Sequence, residues 1–268
     1  MITVINTIAI ALYLTAAGYQ ARYLLGKNNH SPNRKLLIGT AIAATCFHTA
    51  GIFIAINSQQ GIDLGFFKIS SLLFCFISLL AVSFTLRRPT DNLLIALFPL
   101  AAIAIIAASL SAPTYNLDSQ ISAGMKVHII SSILAYSMMT IAVIQACALS
   151  LQEKQLKSRH AMTMLRALPP LQTMEAMLFE LIWIGVVLLS LSIASGLLFI
   201  DDIFAQHLVH KSVLTIAAWC IFSILLWGRH QLGWRSQTAV RWTIGGFVAL
   251  MLGYFGSKLV LELILQRI

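Results

Sequence analysis

Long apolar runs alternate with short polar links along the whole chain. Each of eight runs comes close to the roughly 20 consecutive apolar residues that a helix needs to cross the hydrocarbon core of a bilayer. They lie at about 2–25, 36–57, 66–86, 92–111, 126–151, 177–200, 211–228 and 242–265. The pattern predicts an all-α polytopic membrane protein, a bundle of about eight transmembrane helices in which residues 1–268 form a single transmembrane domain.

The links between these runs are too short to hold a folded soluble domain. The longest one extends from Gln152 to Ala176 and contains Pro169-Pro170, which stops any helix that enters it. Within it, the stretch Ala161–Ala176 is apolar with spaced charges. This pattern is typical of a segment that lies along the membrane surface, and an ordinary connector explains it equally well.

Composition excludes a soluble class of protein. Of the 268 residues, 59% are hydrophobic and 10% are charged, and the mean hydropathy is +0.86, which is outside the range of soluble domains. The net charge of +9 would suggest nucleic acid in a soluble protein. Here the basic residues stand at the ends of apolar runs, where they anchor helices. We expect the lipid bilayer as partner and no nucleic acid.

The same basic residues predict the orientation of the chain. Thirteen of the 18 lysines and arginines fall on one side of the predicted helices, in alternate links counted with their helix ends. Because short links rich in lysine and arginine stay in the cytoplasm, we expect both termini on the outer, periplasmic side. The prediction is a multi-pass protein of the bacterial inner (cytoplasmic) membrane.

Two histidines lie inside apolar runs, where a polar side chain is costly and is a functional candidate by default. His48 is about 13 residues from the cytoplasmic end of the second helix, or roughly 20 Å at 1.5 Å per residue, which puts it in the outer half of the bilayer. His128 begins the fifth helix, just inside the outer boundary. Two imidazoles on different helices make a natural axial pair for haem iron. The alternative is that His48 is an interhelical hydrogen-bond partner and that His128 is interfacial.

Two further histidines stand in a predicted outer link behind Asp201-Asp202. His207 and His210 are three residues apart, so on a helical turn they would share a face and bind a metal or groups on the propionate side of haem. A solvated loop is the alternative. The four cysteines stand singly in apolar runs, without the spacing of a metal site or of haem attachment, and read as packing residues.

Sequence signatures of common enzymes are absent. The chain has no GxSxG elbow, no P-loop, no HExxH motif and no acidic pair near the predicted cytoplasmic face. We therefore expect a non-enzyme. A small-solute transporter is disfavoured because the helices lack interrupted pairs and charges at the midplane.

Several motifs resemble the cytochrome c assembly protein family of CcsA-, HemX- and YpjD-like integral membrane proteins, and most of all its small YpjD-like branch. The resemblance covers about residues 5–265 and includes His48 in the second helix. The matching motifs are Met125-Lys126-Val127-His128, Leu134-Ala135-Tyr136, Lys211, Trp219, Gly233-Trp234-Arg235 and Gly253-Tyr254-Phe255-Gly256.

The resemblance implies a part in cytochrome c-type biogenesis and cytochrome complex assembly. Full assembly factors of this family move haem across the membrane and present it through a tryptophan-rich WGxxWxWD segment. The corresponding stretch here, Ile200–Lys211, has no tryptophan, and Trp227 stands where the family carries a histidine before the Gly-Trp motif.

The function we expect is therefore binding or relaying haem b near the outer face. The predicted ligands are His48 and His128, with His207 or His210 as accessories. The implied partners are haem and proteins of cytochrome c maturation or tetrapyrrole synthesis. The alternative function is a regulatory or scaffolding membrane protein that acts through a partner without binding haem, as HemX-like relatives do in tetrapyrrole synthesis.

Overall fold

A computed structural model of the chain describes residues 2–25, 33–58, 61–63, 65–88, 90–111, 116–117, 122–158, 168–199 and 209–256. Helices make up nearly all of this part. They are α1 (Ile2–Leu24), α2 (Arg34–Ile56), α3 (Phe66–Arg87), α4 (Leu94–Leu110), α5 (Ala123–Ser158), α6 (Leu171–Phe199), α7 (Val209–Leu232) and α8 (Ser236–Met251). A 3-10 turn, Asp91–Leu93, leads into α4, and a π-helical turn, Leu252–Gly256, continues α8.

Seven of the helices in the described ranges are long and apolar enough to cross a membrane. The eighth predicted span, 242–265, starts inside α8 and runs past Gly256, where it lies outside the described residues. The prediction of an all-α polytopic membrane protein is confirmed. The orientation of the termini and the single transmembrane domain stay predictions.

Three very short strands join two of the links at one end of the first four helices. β1 (Asn57–Ser58) pairs antiparallel with β2 (Gly61–Asp63), and β2 pairs antiparallel with β3 (Asn116–Leu117). In register, Asn57 stands opposite Ile62, and Asp63 opposite Asn116. Apolar periodicity carries no signal for strands this short, so the sequence pattern predicts only polar links in both segments.

Several helices extend beyond the apolar runs that predicted them, because hydropathy marks only the part of a helix that crosses the hydrocarbon core. α6 begins directly after Pro170, so its first turns include residues 171–176 of the stretch Ala161–Ala176. The rest of that stretch up to residue 167 lies outside the described residues. The predicted link Arg229–Arg241 is reduced to three residues between α7 and α8, where Gly233 has a φ of +66°, a left-handed conformation that suits glycine.

The chain divides into two compact units. Unit 1 consists of Met1–Ser119 and Leu151–Pro170, and unit 2 of Gln120–Ser150 and Leu171–Ile268. α1 to α4 and the small sheet therefore belong to unit 1. Most of α5, together with α6, α7 and α8, belongs to unit 2.

Helices in unit 1 run alternately up and down. The Asn6 side chain donates a hydrogen bond to Ser109 Oγ at 2.9 Å, and Gly51 packs against the same Asn6 side chain. The start of α1 thus lies beside the ends of α2 and α4. At the opposite end of the unit, Arg34 at the start of α2 pairs with Asp91 before α4, with 3.5 Å between Nε and Oδ2.

Helices in unit 2 also pack closely and antiparallel. Gly185 on α6 lies against the Met139 side chain of α5, and Gly246 on α8 lies against the ring of Phe222 on α7. Such small residues let helix backbones approach where the surrounding lipid gives no hydrophobic drive to associate. In both units the core is mainly apolar but also holds small polar side chains, and many large apolar side chains lie on the outside. Buried Thr45, Ser78 and Thr243 contrast with Phe53, Leu110 and Leu198, which are all more than half exposed.

Candidate functional site

His48 is a buried hydrogen-bonding centre in unit 1. Its side chain is only 1% exposed and lies between α1 and α3. Nδ1 is 3.2 Å from the hydroxyl of Tyr13 on α1, and Nε2 is 3.0 Å from the hydroxyl of Ser71 on α3. The Tyr13 ring in turn packs on Phe98 of α4, with 4.7 Å between ring centroids. His48 thus joins three helices, directly through its ring, and a fourth through Tyr13.

These two hydrogen bonds occupy the whole capacity of the imidazole. A neutral histidine has one N–H donor and one nitrogen acceptor, and here each nitrogen has a hydroxyl partner. An iron ligand needs a nitrogen with a free lone pair. His48 would therefore have to give up one partner before it could bind a metal.

His128 has a different environment near the start of α5 in unit 2. Its side chain is half-buried, and Nδ1 is 2.8 Å from the backbone carbonyl oxygen of Ser192 on α6. Ser195 Oγ lies 3.5 Å from the same nitrogen. Within the part of the chain that the structure describes, Nε2 has no hydrogen-bond partner.

Serine hydroxyls surround His128. Ser132 on α5 is 2.6 Å from the hydroxyl of Ser192 and donates to the carbonyl of His128 at 2.6 Å. Ser195 donates to the carbonyl of Ser192 at 3.0 Å. Ser192 and Ser195 are buried. The hydroxyls fix α5 against α6 at the level of the imidazole.

The two other predicted histidines are less fully described. His207 lies outside the described residues. His210 is in the first turn of α7, where the structure describes its helical backbone but not its side chain. Among the described residues, no group of three or more histidine, cysteine, aspartate or glutamate side chains is arranged to hold a metal ion. A haem needs only one or two imidazoles, so the test for haem rests on His48 and His128.

The arrangement at His128 fits an iron ligand. In metal-binding histidines, the ring nitrogen that does not bind the metal commonly donates its N–H to a backbone carbonyl or a carboxylate, which fixes the tautomer and the ring orientation. The Nδ1 contact with Ser192 is of this kind. The arrangement at His48 fits an interhelical hydrogen-bond partner, the alternative that sequence analysis gave for this residue.

The sequence-based predictions do not include the hydroxyl and carbonyl partners of the two histidines, because serine, threonine and backbone groups are common to most helices. For His48 alone, the spacing of polar residues carries a signal. Asn6, Tyr13 and Gln20 recur every seventh residue on α1, and Ser71, Ser78 and Thr85 do so on α3. Residues seven apart return to nearly the same helix face. Polar residues with that spacing in apolar runs mark a face that is turned towards other helices.

Comparison with known proteins assigns the chain to a family. The family model described as Cytochrome C assembly protein matches residues 36–265, which is most of the chain. The chain belongs to this family. The predicted resemblance is thereby confirmed.

Relatives within and around the family differ in how much of the chain they match. The chain is 30% identical to the inner membrane protein YpjD of Escherichia coli (strain K12) over 259 residues, 96% of this chain and 97% of that protein. It is 27% identical to an uncharacterized 28.8 kDa protein of Azospirillum brasilense over 199 residues, 74% of this chain and 73% of that protein. It is also 25% identical to protein HemX of Brevibacillus brevis over 131 residues, 48% of each chain. No solved structure matches the chain.

These findings establish the setting in which the candidate site lies. YpjD is an inner membrane protein that the chain matches over nearly its whole length, and seven helices in the described ranges can cross a membrane. The chain is a multi-pass inner membrane protein of the cytochrome c assembly family, as predicted.

Proposed function

We propose that this protein binds haem b within the membrane and that His128 would hold the iron through Nε2. In this proposal the protein acts by binding and not as an enzyme. The observation that carries the proposal is the 2.8 Å contact between His128 Nδ1 and the Ser192 carbonyl. Because a carbonyl oxygen only accepts, Nδ1 carries the proton and a neutral ring keeps its lone pair on Nε2. Membership of the cytochrome c assembly family supports the same chemistry.

Haem, when bound, supplies a redox-active iron whose properties depend on the residues that hold it and on the hydrogen bonds that those residues make. His128 would hold the iron, and Ser192 would orient the imidazole. The apolar side chains of α5 and α6 would exclude water from the macrocycle. Val127 and Ile130, on either side of His128, are both about half exposed at the helix surface.

The two predicted ligands, His48 and His128, differ in the hydrogen bonds that their rings make. Both nitrogens of its ring are hydrogen-bonded, so ligation through Nε2 requires loss of the Ser71 contact at 3.0 Å. His48 stays a predicted ligand from sequence, and His128 is the ligand that the geometry favours. His207 and His210 stay predicted accessories near the haem propionates.

The absorption spectrum of the purified protein tests the proposal. The protein is extracted in mild detergent from haem-replete cells, and its spectrum is recorded before and after titration with haemin. We expect a Soret band that His128→Ala abolishes. His230→Ala is the matched control, because His230 is exposed at the far end of α7. A colourless protein that takes up no haemin, or a His128→Ala variant with an undiminished band, would contradict the proposal.

A second function is favoured by the likeness to HemX. In this alternative the fold serves as a regulatory or scaffolding membrane protein that binds no haem. Its partner docks on the basic segment of residues 152–174, which begins in the last turns of α5. Lys154 and Lys157 are exposed at the end of α5 and belong to that segment. Under this alternative, replacing both lysines with glutamine removes a co-purifying partner, and the wild-type protein stays colourless. Under the haem proposal the same double variant keeps its Soret band.

A further inference from the structure

Three serines around His128, Ser132, Ser192 and Ser195, connect α5 and α6 by hydrogen bonds. We call these three residues the serine clamp. The side chain of His128 reaches the backbone of Ser192 at 2.8 Å. The side chain of Ser192 reaches back through Ser132 to the backbone of His128, with successive oxygen distances of 2.6 Å and 2.6 Å. Two helices thus exchange hydrogen bonds in both directions at a single level.

The direction of each hydrogen bond of 3.0 Å or less in the clamp follows from the two carbonyls, which can only accept. The contact between Ser195 Oγ and Nδ1, at 3.5 Å, is at the limit of hydrogen bonding and contributes little. The Ser132 hydroxyl has one proton, and it goes to the His128 carbonyl. The Ser192 hydroxyl must then donate to Ser132. At the other carbonyl, Ser195 and the Nδ1–H of His128 are both donors and share the oxygen of Ser192.

We propose that the serine clamp is the positioning device of this site: it holds neutral His128 as the Nδ1–H tautomer and sets how strongly Nε2 donates to a metal. The part that concerns iron rests on the proposed function, whereas the tautomer is a property of the protein alone. A stronger hydrogen bond from Nδ1 gives the imidazole more anionic character and makes Nε2 a better donor. A better donor favours ferric over ferrous iron and lowers the reduction potential.

Ser132 and Ser195 act in opposite directions in this device. Ser132 supports the clamp, because it links the Ser192 hydroxyl to α5 and keeps the Ser192 carbonyl within reach of Nδ1. Ser195 competes with His128, because it uses part of the accepting capacity of the Ser192 carbonyl. Removal of Ser132 should therefore weaken the hydrogen bond from Nδ1, and removal of Ser195 should strengthen it.

The first test needs no haem. The protein is labelled with ¹⁵N at histidine, reconstituted in lipid nanodiscs and examined by NMR, and the His128 signals are identified by their loss in His128→Asn. We expect a protonated Nδ1 and an unprotonated Nε2. In Ser132→Ala, the chemical shift of the Nδ1 proton should change to a value typical of a weaker hydrogen bond. In Ser195→Ala, it should change to a value typical of a stronger one. The matched control is Ser137→Ala. Among the residues that the structure describes, the hydroxyl of buried Ser137 bonds only to the carbonyl of Ile133 in its own helix, so its removal should leave the His128 signals unchanged.

The second test uses the haem-loaded protein. We expect Ser132→Ala to raise the reduction potential and weaken haem binding by about tenfold, a typical loss for a partner of a metal ligand. Ser195→Ala should lower the potential, and Ser132→Thr, which retains the hydroxyl, should restore the wild-type value. A purely structural role for the two serines would shift the potential in the same direction in both alanine variants, and that result would overturn the proposal.

The two tests separate this inference from the proposed function. A His128 that carries its proton on Nε2, with or without haem, overturns the clamp. A protein that takes up no haemin but shows the Nδ1–H tautomer and the opposite responses of the two variants overturns haem binding and leaves the clamp in place.

Discussion

The hydrogen bonds of His48 give a prediction about the stability of unit 1. Tyr13, His48 and Ser71 are each no more than 2% exposed and join α1, α2 and α3. Tyr13→Phe removes one hydroxyl and keeps the ring that packs on Phe98. Ser71→Ala removes the other hydroxyl. Each variant leaves one buried imidazole nitrogen without its partner.

The expected loss follows from the burial of the two hydroxyls. A buried polar group without a partner costs about 1–3 kcal/mol in soluble proteins, while interhelical hydrogen bonds in membranes average about 0.6 kcal/mol and reach about 1.7 kcal/mol. We expect about 1 kcal/mol for each single variant. The two bonds polarise each other through one neutral ring, which donates in one bond and accepts in the other. Loss of the first bond therefore weakens the second, so the double variant should cost at least about 0.5 kcal/mol less than the sum.

Reversible unfolding in mixed micelles with increasing dodecyl sulfate, followed by circular dichroism, measures these free energies. Ser83→Ala is the control, since within the described part of the chain the hydroxyl of Ser83 is bonded only to the carbonyl of Leu79 in its own helix. Losses no larger than that of the control would refute the reasoning. The same variants address the role of His48 with haem. If His48 is only a structural centre, Ser71→Ala leaves haem affinity unchanged, whereas tighter haem binding would mean that His48 is a ligand competing with Ser71.

Two further predictions concern stability in unit 2, measured by the same unfolding assay. Gly246→Ala should cost about 1–3 kcal/mol, because its Cβ would lie 2.8–3.0 Å from three ring atoms of fully buried Phe222. Gly245→Ala has open space around it and should gain up to about 1 kcal/mol from helix propensity. Equal effects of the two variants would contradict the close packing of α8 on Phe222. Arg229→Met should cost about 1–2 kcal/mol, because it leaves the carboxylate of Glu175 without its cation where that side chain is 13% exposed. Adding Glu175→Leu should recover part of that loss, and an equally unstable double variant would contradict the ion pair.

The helices were predictable from sequence for a simple reason. A backbone in hydrocarbon must satisfy its own hydrogen bonds, so an apolar run of sufficient length has to be a helix. Seven such helices are found as predicted, in the described ranges. Their ends were less predictable, because the polar turns that extend a helix into water carry no hydropathic signal. The continuation of α7 to Leu232 and the start of α8 at Ser236 are examples.

The candidate site was predictable only in part. His128 stood out because an ionisable side chain in an apolar run is rare. Its partners did not, because Ser192 acts through its backbone carbonyl, which every residue possesses. The difference between His48 and His128 also depends on which hydroxyls and carbonyls face each ring, and this is set by how neighbouring helices pack.

Rescue of a cavity variant by free imidazole tests most directly the claim that His128 binds haem iron through Nε2. His128→Gly removes the side chain and leaves a space lined by Ser192 and Ser195. The account predicts that this variant loses the Soret band of the wild-type protein and regains it when imidazole is added, while His48→Gly does not respond to imidazole. A His128→Gly variant that keeps its haem without imidazole, or that imidazole fails to restore, would contradict the account.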